Sequence, residues 1–215
     1  MSVRYRNRAH AGEVLAQQLK FIKFTTRPLV LAIPNGGVAV GAEIARALDA
    51  EIDAIIVRKL QIPHNTEAGF GALTSYGALL LNDRLVKSLR LSKEQIESVV
   101  ERTKKQIERR RAEYHGLVGV VEPSGKDIIL VDDGIASGYT MLAAIESVKQ
   151  LSPRTIMVAA PTASDGAAHL VAEQVSEFIC PRIGTGFVFA VADAYENWYD
   201  VPDTEVIEIL TRLRN

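Results

Sequence analysis

Short apolar runs alternate along the chain with longer stretches in which apolar residues recur at helical spacing. Buried strands are predicted at five of these runs, over residues 29–33, 52–57, 127–131, 155–160 and 175–180. Helices are predicted between the strands and before the first of them, over residues 12–23, 38–48, 92–111, 139–150 and 164–173. Strands that alternate with helices are typical of an α/β fold whose sheet is mainly parallel.

The longest predicted helix begins at Ser92. Ser92 and Gln95 have the spacing of a capping box, and residues at helical spacing form the inner stripe: Ile96, Val99, Val100, Thr103 and Ile107. Arg109-Arg110-Arg111 ends this helix, where cations interact favourably with the helix dipole. Because glutamates lie nearby on both sides, we interpret these arginines as a solvated face, and the alternative is a patch that binds phosphate or nucleic acid.

Residues 59–78 lie between the second strand and the longest helix and are rich in Gly, Pro, Asn and Thr. Weak strand patterns occur at 71–74 and 78–81, so we predict a long loop or a hairpin here. Long loops inside compact domains are often lids over a site.

The bulk composition narrows the class of protein. With 215 residues, 47% of them hydrophobic and 24% charged, the chain has the size and composition of one soluble domain. The formal net charge of -1 argues against a nucleic-acid partner, so an anion site has to be built locally. One cysteine, Cys180, rules out an internal disulfide and reads as a small buried residue. Neither a secretory signal nor a membrane span is predicted, and we expect a cytoplasmic single domain over residues 1–215.

The stretch from Asp127 to Thr140 carries the candidate chemistry. The apolar residues after Asp127 predict a buried parallel strand, and two aspartates, Asp132 and Asp133, follow its carboxyl end. A turn of small residues comes next, and a helix begins after it. In open α/β sheets, ligands bind outside the carboxyl ends of the strands.

This strand–turn–helix unit suits a ligand with a phosphate at one end and a sugar at the other. Backbone amides and the positive end of the helix dipole favour a phosphate, and Gly134 and Gly138 permit its close approach. Ser137 and Thr140 can add hydroxyl donors. Two carboxylates repel an anion but suit a sugar diol or a hard cation. The residues alone leave both a ribose phosphate and a nucleotide open.

The segment Val131-Asp132-Asp133-Gly134-Ile135-Ala136-Ser137-Gly138-Tyr139-Thr140 resembles the signature of type I phosphoribosyltransferases, which bind 5-phosphoribosyl-1-pyrophosphate (PRPP). The resemblance implies that Asp132 and Asp133 hold the ribose 2′- and 3′-hydroxyls, directly or through water bound to Mg²⁺. It implies that the 5′-phosphate is cradled by five residues: Ala136, Ser137, Gly138, Tyr139 and Thr140. It also implies the family's fold, a mainly parallel five-stranded sheet flanked by helices, with a long flexible loop or hairpin and a small C-terminal hood.

A second loop follows the first strand, and the resemblance assigns it to the pyrophosphate. Asn35, Gly36 and Gly37 separate the strand from the next helix, and the two glycines expose backbone amides for an anion. Arg58 and Lys59 end the second predicted strand, as in several members of the family, and would neutralise part of the pyrophosphate charge. Without the resemblance, a structural turn and a solvated strand end account for both features.

In the same comparison, residues 61–76 form a mobile loop that closes over the reacting sugar and excludes water. Lys59 and Glu67 are predicted to take part in catalysis with Asp132 and Asp133, while His64 is interpreted first as a solvated loop residue.

The hood, mainly residues 181–215 together with the N-terminal helix, would bind the acceptor. Phe189 or Trp198 could stack there on a flat base, but aromatic residues suit the hood's own core or a dimer contact equally well.

The resemblance extends over residues 5–206. It includes Ala11-Gly12-x-x-Leu15-Ala16, Pro34-Asn35-Gly36-Gly37-Val38 and Arg58-Lys59-Leu60, and it is closest to a group of predicted phosphoribosyltransferases of undefined acceptor. The sequence therefore predicts a Mg²⁺-dependent transferase of nucleotide metabolism or salvage, a homodimer, that moves phosphoribosyl from PRPP to a small nitrogenous acceptor such as a nucleobase. The alternative is a non-catalytic protein of the same fold that senses PRPP or a nucleotide.

Overall fold

The computed structural model describes residues 4–63, 65–184, 186 and 189–214, with the backbone alone for residues 65–68. The α-helices in these ranges are α1 Arg8–Leu19, α2 Gly36–Leu48, α3 Asp83–Ser88, α4 Lys93–Glu113, α5 Tyr139–Lys149, α6 Asp165–Ala172 and α7 Asp203–Arg214. The strands are β1 Leu29–Ala32, β2 Glu51–Ala54, β3 Val57–Ile62, β4 Asn65–Thr74, β5 Leu79–Leu81, β6 Asp127–Val131, β7 Thr155–Ala159, β8 Thr162–Ser164, β9 Glu177–Ile179 and β10 Arg182–Gly184.

Five parallel strands form the central sheet, in the order β2-β1-β6-β7-β9. β6 lies in the middle and pairs with β1 from Leu29↔Ile128 to Ala32↔Val131. The carboxyl ends of β1 and β6 therefore lie side by side. The prediction of a parallel five-stranded sheet is confirmed, and four of the five predicted strands correspond to β1, β6, β7 and β9.

Side chains of the central strands alternate between two hydrophobic clusters, one on each face of the sheet. In β6, Ile129 and Val131 belong to one cluster, and Ile128 and Leu130 belong to the other. The first cluster includes side chains of α1, α2, α4 and α7, and the second includes side chains of α5 and α6. Because successive side chains of a strand point to opposite faces, each strand stabilises both layers. Helices cover both faces, and in sheets of this kind a ligand is expected at the carboxyl edge.

The predicted second strand, 52–57, is wrong as a single element. β2 ends at Ala54, and β3 begins at Val57 in a separate antiparallel sheet of order β3-β4-β5. The chain changes sheet at Ile56, whose amide donates to Ser75 Oγ at 3.2 Å and whose carbonyl accepts from the Ser75 amide at 2.8 Å. The region predicted as a loop or hairpin is therefore a hairpin with defined pairing.

The helix α4 forms as predicted from its capping box and its inner stripe. Gln95 donates its backbone amide to Ser92 Oγ at 3.2 Å, and its side chain accepts from the Ser92 amide at 2.9 Å. Val99, Thr103 and Ile107 are buried. The helix is thus fixed at its start by the cap and along its length by packing.

Three helices differ from the sequence prediction, and one of them, the short α3, was not predicted. α1 begins at Arg8, earlier than predicted, because the Asn7 side chain accepts from the His10 amide at 2.9 Å. α7 was not predicted; it buries Val206 and Leu210 and packs against α2 and the edge strand β2. In the described ranges, no helix has the length and apolar character required to cross a bilayer.

Candidate active site

The turn that joins β6 to α5 lies at the carboxyl edge of the sheet and is fixed by contacts with β8. The Ile135 amide donates to Thr162 O and the Ser164 amide donates to Ile135 O, both at 2.9 Å. Ser164 Oγ also donates to Ala136 O at 2.6 Å. Gly138 ends the turn with a φ of +81°, which glycine adopts without strain. The turn is therefore a preformed cradle at the α5 N-terminus, and its exposed residues are Ala136, Ser137, Tyr139 and Thr140.

The two aspartates that follow β6 have different surroundings. Asp132 accepts the Asp133 amide at 2.8 Å. Burial of its carboxyl and the negative charge of Asp133 raise the pKa of Asp132 well above the ordinary value. Asp133 instead pairs with Arg8, whose Nε lies 2.7 Å from Oδ2. A hydroxyl donor or a cation next to Asp132 would lessen the repulsion within this acid pair.

Arg8 is a site residue that the sequence reasoning missed. Its side chain is 5% exposed, its guanidinium carbon lies 4.0 Å from the centroid of the Trp198 ring, and Nη1 donates to Tyr199 O at 2.8 Å. One cation thus joins the N-terminal helix, the C-terminal aromatic segment and Asp133. The sequence shows Arg8 only as one of several arginines near the start of the chain, and its acidic partner lies 125 residues away.

The aromatic residues predicted to contact an acceptor lie on this side of the site. Arg8 covers part of the Trp198 ring, and Tyr195 packs against it with ring centroids 5.3 Å apart. Phe189 packs closely on Gly184, where an added Cβ would lie 2.7 Å from the Phe189 ring. Trp198 remains 41% exposed, so part of its side chain is accessible to a ligand.

The loop between β1 and α2 is anchored through the side chain of Asn35. The Asn35 amide group donates to Val201 O at 2.6 Å and to Asp203 Oδ1 at 2.8 Å. Its oxygen accepts from Arg110 at 2.7 Å and from Tyr114 at 3.0 Å. The side chain is therefore committed to the protein. The Pro34–Asn35 peptide bond is cis.

The backbone of the same loop remains available to a ligand. Within the part of the chain that the structure describes, the amides of Asn35 and Gly36 donate no hydrogen bond. Gly37 packs against β6 so closely that a Cβ would lie 2.7 Å from Val131 O. The amides therefore lie beside the acid pair, as expected for a loop that binds an anion next to a sugar.

The predicted cation pair lies beside the cradle, for which phosphate binding is predicted. Arg58 and Lys59, at the start of β3, line a cleft of 730 Å³ together with Ser137 and Thr140. The hairpin continues along the cradle, where Asn82 donates to Tyr139 Oη at 2.7 Å, and it encloses a second pocket of 320 Å³. The structure thus brings two residues predicted for the pyrophosphate, Arg58 and Lys59, to one opening with two predicted for the 5′-phosphate, Ser137 and Thr140.

The large cleft has a third wall, which the sequence did not predict. Gln106, Arg109 and Arg110 of α4 line it. The interpretation of the three arginines as a solvated face is wrong for Arg110, which is 19% exposed and forms ion pairs with Asp203 and Glu113. The helix reaches the site because the chain folds back over the hairpin, a contact that no local pattern reveals.

Three residues considered in the sequence analysis, His64, Glu67 and Cys180, are not part of the site as described above. His64 and the side chain of Glu67 lie outside the described residues, so their roles stay predictions. Cys180 is partly buried, and burial raises the pKa of its thiol to about 12, which keeps it protonated and unreactive.

Comparison with known proteins bears on the whole chain. Residues 5–196 match the family model described as the phosphoribosyl transferase domain. A protein of Mycobacterium tuberculosis named "Putative phosphoribosyl transferase" is 32% identical over 206 residues, which cover 96% of this chain and 46% of that protein. The chain therefore spans about half the length of the curated relative that it matches.

Solved structures show the same architecture. A crystal structure of a protein from Thermus thermophilus is 33% identical, with a TM-score of 0.84, and the match covers 98% of this chain and 99% of that chain. A hypoxanthine phosphoribosyltransferase from Staphylococcus aureus has a TM-score of 0.50 at 11% identity, covering 85% of this chain and 76% of that chain. The second likeness shows the fold alone.

Proposed function

Because the chain belongs to the phosphoribosyl transferase family, we propose that it transfers the 5-phosphoribosyl group of PRPP to a nitrogenous acceptor. The observation that carries the proposal is the meeting of three groups at one sheet edge. They are the cradle at 136–140, the acid pair Asp132–Asp133 and the basic cleft at Arg58 and Lys59. A ribose phosphate would need the first two groups, and the pyrophosphate of PRPP accounts for the third.

The 5′-phosphate of PRPP is placed on the cradle in this proposal. Amides at the start of α5 and the helix dipole favour a dianion, and Ser137 and Thr140 add hydroxyl donors. The ribose then lies over Asp132 and Asp133, whose carboxylates accept hydrogen bonds from the two hydroxyls. Arg8 keeps the Asp133 carboxylate oriented for this contact.

The pyrophosphate is placed between the β1–α2 loop and β3. Amides of Asn35 to Gly37 donate to one phosphoryl group, and Arg58 and Lys59 counter the remaining charge. This arrangement places the leaving group beside C1, on the side away from the hood.

The transfer itself exchanges one bond for another at C1. The acceptor nitrogen forms a bond to C1 with its lone pair, the C1–oxygen bond breaks, and its electron pair leaves on the pyrophosphate. The nitrogen then gives up a proton. The protein contributes positioning of the two reactants and stabilisation of the charge that develops on the leaving group.

Mg²⁺ fits this site as a partner of the ligand. Within the described ranges, no group of three or more His, Cys, Asp or Glu side chains is placed to hold a metal ion. Asp132 and Asp133 offer hard oxygen ligands, and Mg²⁺ commonly uses one or two carboxylates together with water and substrate phosphates. When bound with PRPP, the ion would neutralise charge on the pyrophosphate.

The acceptor is placed on the hood side, near Phe189 and the exposed part of Trp198. We further propose that residues 1–215 form one domain, that the protein is a homodimer and that it is located in the cytoplasm. Because this chain covers only 46% of the curated relative, the activity of the whole protein is also part of the proposal.

The proposal is tested by calorimetry with PRPP, with and without MgCl₂, and by pyrophosphate release in the presence of a panel of nitrogenous bases. We expect Mg²⁺-dependent binding of PRPP and release that one class of base accelerates. Replacing both acids, Asp132→Asn with Asp133→Asn, should weaken PRPP binding roughly 10- to 100-fold, since hydrogen bonds to charged groups are lost. Asp49→Asn is the control, because this carboxylate is 95% exposed and lies outside the site.

Two results would contradict the proposal. Failure of the wild-type protein to bind PRPP would remove its basis. Binding of PRPP without release of pyrophosphate for any base would argue for a sensor rather than a transferase.

A further inference from the structure

The cleft beside the cradle contains more positive charge than the two predicted cations, Arg58 and Lys59, supply. Arg58 and Lys59 of β3 line it, and so do Arg109 and Arg110 of α4. Glu113 is the acidic residue among the cleft's lining residues. Four cations and one acid around an opening of 730 Å³ favour an anion with more than one charge.

The four cations differ in how the protein already uses them. Arg110 pairs with Asp203 and Glu113 and donates to Asn35. Within the described residues, Arg58 and Arg109 make no ion pair with any carboxylate. These two arginines therefore remain able to bind an anion that enters the cleft.

The position of Arg109 is fixed by its neighbour. Arg110 Nη2 lies 2.7 Å from Asn35 Oδ1 in the loop predicted to bind pyrophosphate. Tyr114, which directly follows α4, also donates to Asn35 Oδ1 at 3.0 Å. The end of α4 is therefore attached to that loop at two points, and Arg109 is held at the mouth of the cleft by a packed helix.

We propose that Arg109 is a ligand of the pyrophosphate of PRPP, acting from α4 in the cleft that Arg58 also lines. The inference rests on the proposed function and adds a helix to the loops that bind the leaving group. Pyrophosphate carries several negative charges, and two arginines that line the same cleft can each donate a bidentate hydrogen bond to it. Negative charge develops on the pyrophosphate as its bond to C1 breaks. Arg109 would stabilise that charge from a helix, without closure of the predicted loop.

A cation near the end of a helix also has a purely structural explanation, because it interacts favourably with the helix dipole. Arg111 provides the comparison. It is the next residue of α4, it is exposed, and it is not among the residues that line the cleft. Arg109→Gln and Arg111→Gln therefore remove the same charge from the same helix end, one inside the cleft and one outside it.

The test measures the binding of three ligands to the full chain by calorimetry: sodium pyrophosphate, ribose 5-phosphate and PRPP with MgCl₂. For Arg109→Gln we expect the affinities for pyrophosphate and PRPP to fall about 10- to 100-fold, as for a lost hydrogen bond to a charged group. The affinity for ribose 5-phosphate should stay within about threefold, because screening limits effects beyond contact distance. Arg111→Gln should leave all three affinities near the wild-type values.

Each other outcome overturns the inference in a recognisable way. An unchanged pyrophosphate affinity in Arg109→Gln shows that α4 does not contact the leaving group, while the proposed function stands. Equal losses for pyrophosphate and ribose 5-phosphate, or equal losses in the two variants, show a general effect of charge. A wild-type protein that binds none of the three ligands contradicts the proposed function itself. Thermal unfolding of both variants is the control for stability. Unfolding temperatures equal to the wild-type value show that the two substitutions leave the fold intact.

Discussion

Arg8 and Arg109 lie on opposite sides of the same site, and their surroundings differ. Arg8 is buried, paired with Asp133 and stacked on Trp198. Arg109 is exposed and makes no ion pair within the described ranges. The acid pair is therefore organised by the protein before a ligand arrives, whereas the basic cleft gains its partner from the ligand.

The difference separates two uses of the same side chain. Removing a buried, paired cation leaves a buried acid without a partner and destabilises the fold. Removing an exposed, unpaired cation leaves the fold intact and changes only the binding of an anion. Stability and affinity measured on matched variants should therefore move independently on the two sides, and the following experiments test that separation.

The largest effect is expected for Arg8→Ala. The change leaves the Asp133 carboxylate, which is 16% exposed, without its cation, and we expect a loss of about 3–5 kcal/mol in the free energy of unfolding. Urea denaturation measures it. Arg58→Ala serves as the control, with an expected change within about 0.5 kcal/mol, because that side chain stabilises no buried acid. Equal losses in the two variants would show that the two sides do not differ.

Arg110→Gln should have an intermediate effect, because Arg110 forms ion pairs within the protein and also lines the basic cleft. Its partners Asp203 and Asn35 are partly buried, so we expect a loss of about 1–2 kcal/mol in unfolding free energy. Combining it with Asp203→Asn should cost less than the sum of the two changes, since the two residues are in contact. Additive losses in this double-mutant cycle would show that the ion pair contributes nothing to stability.

Trp198→Leu should have a smaller effect on the hood side. It removes the ring on which Arg8 stacks at 4.0 Å, and a partly desolvated cation–π contact contributes about 0.5–2 kcal/mol. Denaturation by urea is again the measurement. Tyr199→Phe keeps a second ring next to Arg8 and removes only a hydroxyl that donates an exposed hydrogen bond to the Glu205 carboxylate, so it should be nearly neutral. A larger loss in the tyrosine variant would contradict the stacking assignment.

The smallest difference is expected in the pH dependence of a third paired site, Asp127. Burial opposes ionisation there, but hydrogen bonds from Arg154, Thr155 and two backbone amides outweigh it and lower the pKa of the carboxyl. A lowered pKa stabilises the fold at pH values above the ordinary aspartate pKa, and this stabilisation is lost as the pH falls through the lowered value. Unfolding free energy measured from about pH 5 downward should therefore fall less steeply in Asp127→Asn than in the wild type. An unchanged slope would contradict the assignment.

Local patterns predicted the parts of the protein whose determinants are close together in sequence. The strand β6, the turn to α5 and the capping box at Ser92 all follow from residues within a few positions of one another. The family resemblance inferred from the same segments is confirmed by the match over residues 5–196. The roles assigned to individual site residues remain predictions.

Long-range contacts account for what the sequence did not show. The break after Ala54 depends on pairing between Ile56 and Ser75, and Ile55 and Ile56 look like strand residues in isolation. The partnership of Arg8 with Asp133 joins residues 125 positions apart in the sequence, and Arg110 meets Asn35 across 75 residues. In each case the partner is identified by topology rather than by spacing.

Gly36 lies where the two sides of the site meet. A Cβ at this position would lie 1.8 Å from Asp133 Oδ2 and 2.8 Å from Arg8 Nε, so the space for a side chain is already filled by the ion pair. The β1–α2 loop and the hood therefore cannot be exchanged independently of each other. An engineer who grafts a different acceptor-binding segment onto this sheet will have to transplant the arginine at position 8 with it, or redesign the glycine that makes room for that arginine.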